Sequence, residues 1–546
     1  MSKAPASSAY SYPLLIKQLL HASMVTSPQQ EIISGDLCSY DYLTFNSRIE
    51  KLAAGLSAIG VKPGDTVAVM NWDCHRYLEC FFAVPMMAAI LHTVNIRLSP
   101  EQLLYTINHA EDDVILVHSD FVDMLAQIRD QIDRPVKLVF IHDQIGAQKD
   151  LPDGFDIEYE SLLEISGNGF VFEDFDESTI ATTFYTTGTT GDPKGVYYSH
   201  RQLVLHTMGV IATLSPVDDH VRLCKSDVYM PMTPMFHVHA WGIPYAATML
   251  GLKQVYPRRY EPSKLIRFIT DENVTFSHCV PTIMHMLLSA PEANDADLSN
   301  LKVVIGGSAL PQGLSQICID KGIQVYTGYG MSETGPIVSA ADTTGINHNS
   351  TADDDLSIRA KTGKPSPLVE LRVVDEQMND IARGGRETGE VVFRAPWLTQ
   401  GYSGNPEGSE ELWRGGYMHT GDVGYIDETG SLLITDRMKD VIKSGGEWLS
   451  SLELENIVSQ IEGVGEVAAV GIPDARWGER PLIVVARNTE SEIEITIKDI
   501  QEAISAHVDS GALPKWAIPE RVEFVEAIDK TSVGKLDKKV LRARYS

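Results

Sequence analysis

Short apolar runs alternate with segments of helical spacing through the first three hundred residues, and the pattern recurs just beyond them. The runs of strand length are Thr66–Met70, Asp113–His118, Val136–His142, Leu301–Ile305 and Ile323–Tyr326. Between the second and third of these runs, residues 121–134 repeat apolar positions with the spacing of a helix. Strands that alternate with helices indicate parallel sheets covered on both faces, so the pattern predicts an α/β fold.

The most apolar stretch of the chain is Phe81–Val94. It is too short to span a bilayer, and it contains Pro85. We interpret it as a buried helix, and the pattern predicts no membrane-spanning segment.

The pattern changes near Lys361. Apolar segments beyond this residue are separated by Gly-rich turns, which is typical of antiparallel strands. A charged run at Asp436–Asp440 then precedes a compact final segment that mixes helical and strand-like patterns. We predict a large domain over 1–436 and a small α+β domain over 437–546.

Composition changes this picture mainly through charge. The 546 residues include 74 acidic and 45 basic side chains, which gives a formal net charge of −29. Such a surface repels nucleic acid and anionic lipid, so neither is a predicted partner, although peripheral membrane association stays open. A site for a polyanionic ligand must therefore supply its own positive groups.

The cysteines and the N-terminal segment bear on the compartment. The six cysteines show no C-x-x-C spacing, which is typical of reduced thiols in the cytosol. Residues 1–23 lack a long apolar core and a cleavage-site pattern, so no signal peptide is predicted. We expect a cytoplasmic protein.

The first candidate for chemistry is Tyr185–Val196, in which seven of twelve residues are Gly or Thr. The backbone N–H groups of such a loop can approach a polyphosphate closely, and its hydroxyls can donate hydrogen bonds. Lys194 adds a cation for the terminal phosphates, and the spacing is not that of a Walker A loop. The predicted phosphate-binding residues are Thr186, Thr187, Gly188, Thr189, Thr190 and Lys194.

Several separated motifs resemble, in their order, those of the adenylate-forming (AMP-binding) superfamily of acyl-CoA synthetases, peptide-synthetase adenylation domains and luciferases. The motifs are Tyr185–Val196, Gly306–Leu310, Tyr329–Thr334, His419–Asp422, Asp436–Asp440 and Thr531–Leu536. The resemblance covers nearly the whole chain. It implies a large domain of parallel α/β sheets with a small β-barrel-like subdomain, a small mobile C-terminal domain, and ATP, Mg²⁺ and coenzyme A as ligands.

The resemblance also implies roles for single residues at the nucleotide. A tyrosine packs on one face of the adenine, a Gly-rich turn covers the other face, and an aspartate and an arginine reach the ribose. The tyrosine is Tyr329, and the Gly-rich turn is Gly307, Ser308 and Ala309. The ribose residues are Asp422 and Arg437. Thr334 would hold the α-phosphate, while Glu333 and Thr187 would bind Mg²⁺, which prefers hard oxygen ligands.

Lys535 resembles the catalytic lysine of the family. Adenylation brings a carboxylate against an α-phosphate, and an ammonium between the two anions lowers their repulsion and stabilises the transition state. The match is incomplete, because Asp529 stands where the family often has Pro. The resemblance further implies that the small domain rotates about a hinge at Lys439 and brings in the residues that bind coenzyme A. Those residues are Lys443, Ser444, Gly445 and Gly446.

Met235–Gly242 resembles the acyl pocket of a branch with medium- and long-chain fatty acyl-CoA synthetases and methylthiopropanoate–CoA ligases. His237 would act as a catalytic residue near the substrate carboxylate, and Trp241 would stand at the mouth of the acyl tunnel. The H-x-H pair could instead bind a metal, but no third ligand has suitable spacing. Gly330 leaves room where acetate-specific relatives carry Trp, so acetate is not the expected substrate. The predicted pocket residues are His237, Val238, Trp241, Gly306, Gly330 and Met331.

The predicted function is an ATP-dependent acyl-CoA ligase that acts on a medium-chain fatty acid or 3-methylthiopropanoate. A long-chain or aryl acid is the alternative substrate, and a carrier protein or oxygen is the alternative acceptor. A protein that only binds nucleotide is disfavoured, because binding does not require the mobile Lys535. No G-x-S-x-G motif supports a serine hydrolase. A homodimer is implied by the resemblance alone.

Overall fold

A computed structural model describes residues 6–144, 151–165, 167, 169–186, 192–216, 221–345, 351–444, 447–488, 493–511, 513–531 and 534–546. The α-helices are α1 (Lys17–Thr26), α2 (Tyr42–Ala58), α3 (His75–Met86), α4 (Pro100–Ala110), α5 (Val122–Ala126), α6 (Tyr159–Glu164), α7 (His200–Leu214), α8 (Val238–Trp241), α9 (Ile243–Leu250), α10 (Pro262–Asp271), α11 (Pro281–Leu288), α12 (Gln312–Asp320), α13 (Ala352–Ala360), α14 (Pro406–Leu412), α15 (Ser451–Ser459), α16 (Ile497–Asp509) and α17 (Lys538–Tyr545).

The strands are β1 (Glu31–Ser34), β2 (Cys38–Asp41), β3 (Thr66–Met70), β4 (Ile90–Thr93), β5 (Asp112–His118), β6 (Lys137–Ile141), β7 (Ile157–Glu158), β8 (Ile180–Thr186), β9 (Lys194–Ser199), β10 (Val228–Pro231), β11 (Lys253–Tyr256), β12 (Phe276–Cys279), β13 (Lys302–Ile305), β14 (Gln324–Tyr329), β15 (Ser339–Ala340), β16 (Lys364–Pro365), β17 (Glu370–Val374), β18 (Gly389–Arg394), β19 (Met418–Ile426), β20 (Leu432–Arg437), β21 (Ile442–Ser444), β22 (Glu447–Leu449), β23 (Val464–Asp474), β24 (Gly478–Arg487) and β25 (Arg521–Val525).

Two largely parallel sheets build the large domain. One has seven strands in the order β7-β6-β5-β3-β4-β8-β9, and the other has nine in the order β16-β15-β14-β13-β12-β10-β11-β1-β2. The inner strands pair in parallel, and the antiparallel pairs among the described strands lie at the sheet ends. Strand β3 is buried along its whole length, as expected of a strand covered on both faces. The predicted α/β fold with parallel sheets is confirmed.

Two helices predicted from the pattern are shorter than expected. The apolar stretch Phe81–Val94 is helical only to Met86, and after a turn at Ala88 (φ 61°) the chain enters β4. Both parts are buried, and continuous apolar character does not distinguish a buried helix from a buried parallel strand. Within 121–134, the α-helix covers only Val122–Ala126, because the apolar positions beyond it contact the core through irregular turns.

Strand β9 and helix α7 are joined without a loop. The Ser199 side chain accepts a hydrogen bond from the Gln202 backbone N–H, and the Gln202 side chain accepts one from the Ser199 N–H. This capping box satisfies two N–H groups that the helix itself leaves unpaired. It therefore fixes the direction of the strand that leaves the Gly/Thr-rich segment.

Two antiparallel units follow the parallel sheets. Strands β17-β18-β19-β20 form a four-stranded sheet, at the place where the sequence predicts the barrel-like subdomain. The chain then passes into a separate five-stranded sheet between Arg437 and Ile442. Its apolar faces are covered by α15 and α16 on one side and by α17 on the other. The exact boundary at 436/437 stays a prediction.

The small domain contacts the large one at helix α11, which follows the central strand β12 of the nine-stranded sheet. Thr282 Oγ1 donates to the Gly534 carbonyl at 2.6 Å, and His285 Nε2 lies 2.8 Å from the Gly465 carbonyl oxygen. Across the connection, the buried Asp436 carboxylate accepts from the Ser451 backbone N–H at 2.6 Å. These contacts place the loop that carries Lys535 over the large domain. None of the helices in the described ranges is long and apolar enough to cross a membrane.

Candidate functional site

A cavity of about 190 Å³ lies beyond the carboxyl ends of β8, β13 and β14, where parallel sheets commonly bind ligands. It is closed from the other side by the connection between the domains and by the Lys535 loop. The predicted site residues that line this cavity are Thr186, His237, Val238, Trp241, Gly306, Gly307, Tyr329, Gly330, Met331, Glu333, Arg437, Lys439 and Lys535. Residues 349 positions apart in the sequence, such as Thr186 and Lys535, therefore face one space.

Asp422 contacts two residues that line the cavity, Tyr329 and Arg437, and is not itself a lining residue. It is 6% exposed, and it lies opposite Arg437 in the β19–β20 pair. Its carboxylate accepts from the Tyr329 hydroxyl at 2.6 Å and lies 3.2 Å from Arg437 Nε. Each carboxylate oxygen retains a further acceptor site, so Asp422 can still accept from vicinal hydroxyls.

Lys535 reaches the cavity from the small domain. Just before it in the chain, the Gly534 N–H donates to the Thr531 carbonyl, and Gly534 has φ 84°. Its side chain runs over Gly307, where an added β-carbon would lie 3.1 Å from Lys535 Cε. Burial, together with the nearby Arg437 guanidinium, lowers the pKa of Lys535 to about 8. Its ammonium therefore loses its proton more readily than an exposed lysine does.

Glu333 and Lys194 are linked through a tyrosine that the sequence motifs do not single out. The Tyr402 hydroxyl donates to Glu333 Oε1 at 2.8 Å. Lys194 Nζ lies over the face of the same ring, 4.5 Å from its centroid. The sequence signal was weak, because Tyr402 stands in an ordinary-looking Gly-rich segment.

The segment that carries His237 and Trp241 has a left-handed backbone. Four consecutive non-Gly residues, Val238–Trp241, have φ between 47° and 59°. This conformation costs about 1–2 kcal/mol per residue and persists only where the surroundings enforce it. Asp73 accepts from the Met235 N–H at 2.9 Å, and Thr93 Oγ1 donates to the Phe236 carbonyl at 3.0 Å. These two bonds anchor the strained turn.

The two histidines of the H-x-H pair have separate surroundings. His237 lines the cavity, and burial lowers its pKa to about 3, so its imidazole is neutral at neutral pH. His239 is buried, with Nε2 2.7 Å from Thr182 Oγ1, and packs against Phe81. No group of three or more His, Cys, Asp or Glu that could hold a metal occurs among the described residues.

Some predicted site residues lie elsewhere. Ser308 and Ala309 are exposed and do not line the cavity, and Lys443 and Ser444 belong to strand β21 of the small domain. Thr334 is fully buried, with its hydroxyl bonded within its own turn to the Met331 N–H and the Pro336 carbonyl. Predicted residues outside the described ranges are Thr187, Gly188, Thr189, Thr190, Gly445 and Gly446.

Gly330 lines the cavity, but the reason for its missing side chain differs from the predicted one. A β-carbon built on Gly330 would overlap the carbonyl oxygen of Pro336 and lie 2.8 Å from Thr334 Oγ1. A side chain at this position would therefore point into the backbone of Pro336 and not into an open acyl pocket. The interpretation that Gly330 leaves room for a longer acid is corrected accordingly.

We expect Gly330→Ala to destabilise the protein by about 1–3 kcal/mol, because the added methyl forces a backbone shift. Urea denaturation of the purified variant measures this loss. Gly385→Ala is the matched control, since the nearest atom to its β-carbon is 3.8 Å away in an exposed loop. Equal stability of the Gly330→Ala variant and the wild-type protein would contradict the geometry.

Sequence comparison identifies the family to which this fold and cavity belong. The chain belongs to the AMP-binding enzyme family, whose main domain matches residues 20–403 and whose C-terminal domain matches residues 453–535. The predicted membership is confirmed.

Similar proteins are named as CoA ligases. The long-chain-fatty-acid–CoA ligase of Thermus thermophilus is 39% identical over 95% of this chain and 93% of its own length. The 3-methylmercaptopropionyl-CoA ligase of Ruegeria lacuscaerulensis is 34% identical (98% and 97%), and the medium-chain-fatty-acid–CoA ligase of Ectopseudomonas oleovorans is 35% identical (94% and 92%). The crystal structure of the anthranilate CoA ligase AuaEII with anthranoyl-AMP has the same fold, with a TM-score of 0.85 at 21% identity over 98% of each chain.

Proposed function

We propose that the protein is an ATP-dependent acyl-CoA ligase. It forms acyl-AMP and pyrophosphate from a carboxylate and ATP, and then acyl-CoA and AMP. The observation that carries the proposal is the convergence of Lys535, Arg437 and Glu333 on one cavity. With Lys439, three cationic residues thus line one cavity in a chain whose net charge is −29, as a site for a polyanionic nucleotide requires.

The proposed first step places Lys535 between the attacking carboxylate and the α-phosphate. Its ammonium offsets the repulsion of the two anions and the charge that develops in the transition state. Asp422 and Arg437 would hold the ribose, and the Tyr329 ring would pack on the adenine. The neutral His237 would bind the incoming carboxylate near the reacting phosphorus.

Glu333 fits the requirements of a magnesium ligand. Its carboxylate is 6% exposed, and within the described ranges its side-chain hydrogen bond is made through Oε1, which leaves Oε2 for a cation. Bound Mg²⁺ would polarise the phosphates and stabilise the departing pyrophosphate. The second proposed ligand, Thr187, lies outside the described ranges.

The second step requires another arrangement of the small domain. We propose that 437–546 rotates about Lys439 as one unit, withdraws Lys535, and brings Lys443, Ser444, Gly445 and Gly446 to coenzyme A. The change of sheet between Arg437 and Ile442 supports a hinge in this stretch. The names of the similar CoA ligases support coenzyme A as the acceptor.

The proposed acid is a medium-chain fatty acid or 3-methylthiopropanoate, on the strength of the relatives' names. AMP release should be measured with ATP and Mg²⁺ over acids from acetate to dodecanoate, with 3-methylthiopropanoate and cinnamate included, each with and without CoA. CoA-dependent release that peaks at one acid supports the ligase and identifies its substrate. Acid-dependent pyrophosphate exchange without CoA stimulation would move the acceptor to a carrier protein or oxygen.

The lowered pKa of Lys535 predicts that kcat/KM for ATP has a descending alkaline limb in its pH profile. The protonated amine is the active form, so kcat/KM for ATP in adenylation should fall as the pH rises above about 8, since this constant reports the free enzyme. In Lys535→Arg the guanidinium stays charged, and the limb should disappear from the accessible range. An identical limb in both proteins would show that another group titrates.

We further propose that the protein acts in the cytoplasm, where ATP and CoA are available, and that it forms a homodimer. Sedimentation of the purified protein over a range of concentrations tests the second statement. A single monomeric species throughout would contradict it.

A further inference from the structure

The segment 399–405 connects the two parts of the site that would meet the phosphates. On one side, the Thr399 N–H donates to the Glu333 carbonyl at 3.1 Å. On the other side, the Ser403 N–H donates to the Gly195 carbonyl at 2.8 Å, and Tyr402 forms an isolated β-bridge with Val196. The backbone of this segment therefore spans from the Glu333 turn to strand β9, which begins at Lys194.

Tyr402 lies at the centre of this segment and contacts both charged side chains. Its hydroxyl donates to Glu333 Oε1 at 2.8 Å, and its ring face holds Lys194 Nζ at 4.5 Å from the centroid. Burial raises the pKa of the Tyr402 hydroxyl, so the proton that it donates is retained at neutral pH. Its backbone N–H donates to Ser409 Oγ at 2.9 Å, which anchors the backbone that carries the ring.

Lys194 and Glu333 carry opposite charges and contact the same tyrosine side chain. They contact different parts of that side chain, the ring face and the hydroxyl, and no ion pair within 4.0 Å joins these two described residues. The aromatic face partly stabilises the Lys194 ammonium, and the hydroxyl partly stabilises the Glu333 carboxylate. Both groups keep their charge.

We infer that Tyr402 is a positioning residue that holds Lys194 and Glu333 apart, which keeps the ammonium available for phosphate and the carboxylate for Mg²⁺. The inference rests on the proposed function for the identity of these two ligands. Without the hydroxyl, the Glu333 carboxylate is free to turn toward Lys194. A magnesium ion must then displace that pairing before it binds.

Two substitutions separate the roles of the hydroxyl and the ring. Tyr402→Phe keeps the ring under Lys194 and removes only the bond to Glu333. Tyr402→Leu removes both contacts. Tyr198→Phe is the matched control, because it also deletes one buried tyrosine hydroxyl. Tyr198 lies on strand β9, and its hydroxyl donates to the Ser332 carbonyl at 2.6 Å.

The test is the binding of ATP to the full chain by calorimetry, in EDTA and over a series of Mg²⁺ concentrations, without acid or CoA. For Tyr402→Phe we expect the Mg²⁺ midpoint to rise roughly tenfold, the order for losing a hydrogen bond to a charged group. The Kd for ATP in EDTA should rise too, because the freed Glu333 carboxylate can pair with the Lys194 ammonium. For Tyr402→Leu we expect weaker binding in EDTA as well. Tyr198→Phe should retain the wild-type midpoint.

The inference would be overturned if Tyr402→Phe kept the wild-type Mg²⁺ midpoint. It would also be overturned if Tyr198→Phe shifted that midpoint equally. Because the assay contains neither acid nor CoA, it is separate from the ligase reaction. Wild-type protein that binds Mg·ATP but forms no thioester would refute the proposed function, while the Tyr402→Phe shift would still support the positioning role. Wild-type protein that binds no ATP would overturn both.

Discussion

Lys535→Ala should reduce acid-dependent ATP–pyrophosphate exchange by about 10²–10³-fold, the order for removing one preorganised charged group from a transition state. The side chain crosses Gly307 to enter the cavity beside Arg437, and no other described residue of the small domain beyond the hinge lines that cavity. The second half-reaction, started from synthetic acyl-AMP and CoA, should be largely unchanged. This split between the two steps distinguishes a catalytic loss from unfolding.

The control for this prediction is Lys530→Ala in the same loop. Lys530 pairs with Glu466 at 2.8 Å within the small domain and does not line the cavity. We expect normal exchange in this variant. Equal losses in the two half-reactions of Lys535→Ala would contradict the assigned role.

Asp422→Ala should raise the KM for ATP roughly ten- to a hundredfold, as expected for losing hydrogen bonds to a charged group. The substitution removes the proposed ribose contact and also leaves the Tyr329 hydroxyl and Arg437 without their shared partner. Steady-state kinetics with ATP varied at saturating acid and CoA measure the effect.

The matched control is Asp427→Ala, five residues further along the same sheet. Asp427 pairs with Lys361 at 2.7 Å and lies outside the cavity. Its loss should lower the free energy of unfolding and leave the KM for ATP unchanged. A KM for ATP that stays constant in Asp422→Ala would exclude the ribose contact.

The strands of the parallel sheets were the most predictable part of the fold. Thr66–Met70 is apolar throughout because both faces of the strand are covered, and the observed strand has the predicted bounds. The same full burial misled the interpretation of Phe81–Val94. There a helix and the following strand are both hidden, so composition alone does not show where one ends.

The site was predictable where the chemistry resides in short contiguous motifs. Asp422, Arg437 and Lys535 each stand in such a motif; Arg437 and Lys535 line one cavity, and Asp422 contacts Arg437. The supporting geometry was not predictable in this way. Tyr402 acts through contacts to residues 69 and 208 positions away, and the sequence Val-His-Ala-Trp contains no Gly to signal a left-handed turn.

Gly330 shows how a correct position can be given the wrong physical reason. The motif placed it at the cavity, but the need for Gly comes from the Pro336 carbonyl, which a turn brings against it. Substrate length is therefore better examined at Trp241, whose ring forms the wall beside Gly306.

The most direct test of the proposed reaction is a single turnover with enzyme in excess over ATP, in the presence of Mg²⁺ and octanoate, analysed by mass spectrometry before and after CoA is added. We expect octanoyl-AMP to accumulate on the enzyme without CoA and to be converted to octanoyl-CoA and AMP when CoA is added. ATP that is hydrolysed to ADP, or an acyl-AMP that persists after CoA is added, would contradict the proposed reaction.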